Sequence, residues 1–98
     1  MTYEDLEVRV RRLLTDGVPP GNTASERDWK RQILALGADI IPILISVMER
    51  GPEECKYEAA IGLRQFGFEV WKDISRNPPV WQVRKSASEV WREFSCNE

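Results

Sequence analysis

The chain has 98 residues, enough for one domain, and its 42% hydrophobic and 31% charged side chains exclude a disordered, collagen-like or low-complexity segment. Fourteen Lys and Arg against sixteen Asp and Glu leave a net charge of −2, which argues against a global attraction to nucleic acid or to an anionic membrane. With no His anywhere, the chain lacks the commonest general base and the usual zinc and haem ligand.

Helical periodicity recurs along the chain, and the reading is six helices with no strand. Thr2 with Asp5 resembles a capping box, after which Tyr3, Leu6, Val10, Leu13 and Leu14 fall at helical spacings until Gly17 stops the run. Val18 to Asn22, with two prolines, is a connector. Thr23 or Ser25 opens a second helix with Trp29, Ile33 and Leu36 on one face, closed by Gly37. Asp39 is the expected N-cap of a third helix, with Pro42 in its first turn and Ile40, Ile41, Leu44, Val47 and Met48 on a wide apolar face. Gly51 stops it. A fourth helix begins at Pro52 and carries Cys55, Ala59, Leu63 and Phe66 before Gly67. Phe68, Trp71 and Ile74 suggest a short fifth helix, Asn77-Pro78-Pro79 interrupts, and a sixth is expected from about Pro79 to Ser95 with Val83, Ala87, Trp91 and Phe94 inward. No basic, apolar leader opens the chain, and the longest apolar run is far short of the ~20 residues that span a bilayer.

The even-numbered helices match one another. A shift of thirty residues lays Ser25, Trp29, Ile33, Leu36 and Gly37 on Cys55, Ala59, Leu63, Phe66 and Gly67, and a further twenty-eight lays Cys55, Ala59, Leu63 and Phe66 on Val83, Ala87, Trp91 and Phe94. The stretch from Leu36 to Gly67 resembles a HEAT repeat of the short bacterial kind also seen in bilin lyases. It has a Leu-Gly turn, an acidic residue before Ile-Pro, an apolar first helix, a Gly-Pro turn, and a second helix with Ala and Leu four apart. Val83-Arg84 matches the family's Val-Arg pair, whereas Cys55-Lys56 replaces that pair in the central unit and Trp29 stands at a small-residue position in the first. The resemblance implies an all-α solenoid of three stacked helix–turn–helix units, residues 1–37, 38–67 and 68–98, whose second helices line a partner-binding surface.

On that register the exposed column of the second helices holds Arg27 and Leu34, Tyr57 and Arg64, and Lys85 and Arg92, with Arg31, Lys56 and Arg84 nearby. Such a stripe suits an acidic helix or peptide, or phosphates. The alternative is a solvated face whose charges pair with Glu58, Glu89 and Glu93. Trp81, after two prolines and off the apolar stripe, is a candidate exposed anchor at an open C-terminal end, where a second copy could associate. Trp91 is expected in the core and Trp71 against the sixth helix. Cys55 fills a small apolar position as an inert thiol and Cys96 lies in the tail, a pattern that fits a reducing cytosol better than a disulfide framework.

Neither a glycine-rich phosphate loop nor a metal-ligand cluster occurs, so no catalytic residue, cofactor or metal is assigned. The expected function is a non-catalytic adaptor or scaffold that binds another protein through Arg27, Tyr57, Arg64, Trp81, Lys85 and Arg92. Two alternatives are an accessory subunit of an enzyme system such as the bilin lyases, and a weak nucleic-acid binder using the basic stripe.

Overall fold

The computed structural model describes residues 2–19 and 23–95. Among these residues four α-helices are followed by a three-stranded antiparallel sheet, an α+β fold that overturns the expected all-α solenoid of six helices. Helix α1 spans Tyr3–Asp16 and opens with the full capping box: Asp5 N donates to Thr2 Oγ1 at 3.2 Å, and Thr2 N donates to Asp5 Oδ2 at 3.4 Å. Helix α2 spans Ala24–Ala35 and is capped by Thr23, whose hydroxyl accepts from Glu26 N at 3.1 Å. Trp29 Nε1 donates to Leu13 O at 3.1 Å and ties these two helices together. Asp39 does not cap a helix. It lies inside a short 3-10 turn, Ala38–Ile40, which leads without a side-chain cap into α3, Ile41–Arg50, where Pro42 takes a first-turn position. Helix α4, Glu53–Gln65, follows after Gly51 and Pro52.

Beyond α4 the chain changes character at Gly67, whose φ of +88° is a conformation that side-chain-bearing residues rarely adopt. Strand β1 is Glu69–Asp73, β2 is Val80–Arg84 and β3 is Arg92–Ser95, paired in the order β1-β2-β3. Residues 68–95 form strands because Val70-Trp71 and Val80-Trp81-Gln82-Val83 concentrate β-branched and aromatic side chains. The Pro pair between those blocks, and the Ser86-Ala87-Ser88 segment after the second, supply turns rather than helix. The expected Val83–Ala87–Trp91–Phe94 helix face is therefore spread over β2, a loop and β3.

The register sets Val70 opposite Val83 and Trp81 opposite Phe94, on the face that meets the helices. These four side chains join Val10, Leu14, Trp29, Ile33, Leu44, Met48 and Leu63 in one buried cluster. Two cations of α4 fasten the sheet to the helices. Arg64 donates from Nε and Nη2 to Val70 O at 3.2 and 2.6 Å. Lys56, fully buried, donates from Nζ to Ser95 O at 3.2 Å and stands 3.3 Å from Glu53 Oε2. One staple holds each edge strand, and both carbonyls receive charge-assisted hydrogen bonds.

Candidate functional site

The six residues expected to bind a partner are dispersed. Trp81 is only 5% exposed and faces the core, so the expectation of an anchor at an open end is corrected; strand pairing turns it inward beside Phe94. Tyr57 and Arg64, seven residues apart on α4, do come together, lining a hollow of about 390 Å³ with Val18, Pro19 and Lys30. Arg64 is largely committed to Val70 O and Lys30 to Glu26 at 2.7 Å, so little unpaired charge is left there. Lys85 and Arg92 line a different groove, of about 420 Å³, between α3 and the loop joining β2 to β3. Arg27 is exposed on α2 and lines neither. Lys56, expected beside the stripe, is inside the protein.

The outer face of the sheet carries side chains that the helical reading placed in the core. Trp71 is 48% exposed there, and its ring centroid lies 6.5 Å from that of Trp91, with the planes tilted by 53°. The Arg84 guanidinium sits over the Trp91 ring, 4.1 Å from its centroid, in a cation–π contact, and its Nε stands 2.7 Å from Glu69 Oε2. Next to this cluster, Gln82 Nε2 donates to Glu93 Oε2 at 2.7 Å and Arg76 Nη1 donates to Glu93 Oε1 at 3.0 Å. Arg76 Nε also lies 3.3 Å from Asp73 Oδ2.

These bonds hold the carboxylates in the ionised form. Glu93 is lowered from the ordinary glutamate value by the Gln82 hydrogen bond and then by Arg76. Asp73 is lowered by hydrogen bonds from the Ser75 hydroxyl and backbone, and Arg76 is raised by Glu93. The face thus presents two tryptophans among charges that largely satisfy one another. Alternation in Glu69-Val70-Trp71-Lys72 was the available signal, because in a strand it sends Trp71 to the side opposite Val70.

Among the described residues no group of three His, Cys, Asp or Glu side chains is placed to hold a metal ion. Cys55 is half-buried rather than fully enclosed, and burial, followed by Glu54 and Glu58, pushes its thiol above the usual value, away from the reactive thiolate. Cys96 lies outside the described residues. No single helix among the described residues is long and apolar enough to cross a membrane. Neither family models, curated proteins nor solved structures give a match to this chain.

Proposed function

We propose that the protein is a non-catalytic interaction module that docks another protein against the outer face of its sheet, with Trp71 and Trp91 as apolar anchors and Arg84 as the polar one. The observation that carries this reading is the half-exposed Trp71 held against Trp91 on the outer side of the sheet. Tryptophan and arginine are the residues most enriched at the energetic centres of interfaces, since each buries a large area with few rotors or with a rigid donor fork. Arg84 is already positioned by Glu69 and by the Trp91 ring, so little ordering cost remains when a partner arrives. The expected compartment, a reducing cytosol, belongs to the same reading.

Affinity purification with quantitative mass spectrometry tests it, comparing wild type with Trp71→Ala and with Leu34→Ala, which removes an exposed apolar side chain of α2. A protein recovered equally by wild type and Leu34→Ala should fall about tenfold with Trp71→Ala, a change of about 1.4 kcal/mol. Equal recovery by all three chains would refute the assignment.

A further inference from the structure

The groove between α3 and the loop joining β2 to β3 has a different character from the tryptophan face. Ile41, Pro42 and Ile45 of α3 line it together with Phe68 and the buried Val83, which make an apolar floor, and with Val90, which is 89% exposed. Around this apolar lining sit Arg84, Lys85 and Arg92 against a single acid, Glu89, on a chain whose net charge is −2. Arg84 is neutralised by Glu69. Lys85 and Arg92 form no ion pair among the described residues, and the Arg92 guanidinium is held over the Phe94 ring at 5.4 Å.

We propose that this groove takes an acidic peptide segment of a partner protein, in which one or two aliphatic side chains enter the apolar floor and flanking Asp or Glu carboxylates pair with Lys85 and Arg92. The volume of about 420 Å³ falls within the ~300–1,000 Å³ of ligand-sized clefts. An uncharged occupant would dehydrate two cations without compensation, at a cost that carboxylates remove. Nucleic acid is disfavoured, because the lining is mainly aliphatic, the one aromatic side chain lining it, Phe68, is half-buried, and the nearby Phe94 ring is buried beneath Arg92. The proposal goes beyond the tryptophan face, with which the groove shares only Arg84.

The test pans a displayed library of random twelve-residue peptides against the full chain, then measures recovered peptides by fluorescence anisotropy. Recovered sequences should combine Asp or Glu with Leu, Ile or Phe. Their affinity should fall at least tenfold with Lys85→Glu plus Arg92→Glu, fall also with Val90→Asp, and stay unchanged with Arg27→Glu and Trp71→Ala. Circular dichroism melting checks folding, and Val90→Asp carries the comparison if the double variant unfolds. The proposal is overturned if no peptide is enriched, if enriched peptides lack carboxylates, or if binding ignores both groove variants. Affinity lost only with Trp71→Ala would move the peptide to the sheet face and equally overturn it. Self-association abolished by the double variant would show that a second copy is the occupant, against the proposal.

Discussion

Replacing Lys56 by Met isolates one of the two staples that hold the sheet to α4. The methionine keeps the length and most of the volume of the fully buried side chain, so the surrounding packing is nearly conserved. What disappears is the charge-assisted bond to Ser95 O and the contact with Glu53. The first is worth about 1.5–3 kcal/mol by analogy with other hydrogen bonds to charged groups. The second adds under about 1 kcal/mol, because the Glu53 side chain is 34% exposed and water screens the pair. Relief from burying an ammonium opposes both. The net expectation is a loss of about 1–2 kcal/mol, which in a chain of this size lowers Tm by about 4–8 °C for each kcal/mol. Urea titration followed by tryptophan fluorescence should show a lower midpoint at an unchanged slope. A Lys56→Met protein as stable as wild type would mean that the desolvation cost cancels the staple, and that pairing with β2 and apolar packing suffice to hold β3.

Other consequences concern the core and the sheet's acid dependence. Leu63→Ala, at a fully buried position in the shared cluster, should cost about 2–5 kcal/mol in the same titration, and a loss under about 0.5 kcal/mol would place Leu63 outside the core. Asp73 and Glu93 have folded values below their unfolded ones, so their contribution is present above the ordinary carboxylate range and is lost as pH falls through the lowered values. Thermal melts should therefore drop on acidification through and below that range. The drop should be smaller in Glu93→Gln, and an identical acid profile in that variant would contradict the network with Gln82 and Arg76.

The helical two-thirds of the chain was legible because its boundaries are written in local chemistry. The Thr2–Asp5 box, the Thr23 cap, Pro42 and the glycines at 17, 37, 51 and 67 all act within a few residues of themselves. The last third was misread for a physical reason. Phe68, Trp71 and Ile74 span too few residues for a period of three to be told from a strand. Val83, Ala87, Trp91 and Phe94 matched the α4 pattern although two strands and a turn separate them in space. Strand pairing is non-local, so nothing beside Trp81 announces that Phe94 will face it. The expected stripe failed with the solenoid: only the two pairs Tyr57–Arg64 and Lys85–Arg92 survive as neighbours. Lys56 was invisible for the opposite reason, since a charged residue at a helical position is ordinarily read as solvent-facing.

The sheet reverses the environments that a helical C-terminal third would assign to the tryptophans, and exchange of the four indole N–H protons with deuterium, read by NMR, exposes that reversal directly. Trp29, bonded to Leu13 O, and the enclosed Trp81 should exchange slowly, while Trp71 exchanges fastest. Rapid exchange at Trp81 together with protection at Trp71 would contradict the sheet and, with it, the binding face built on its outer side.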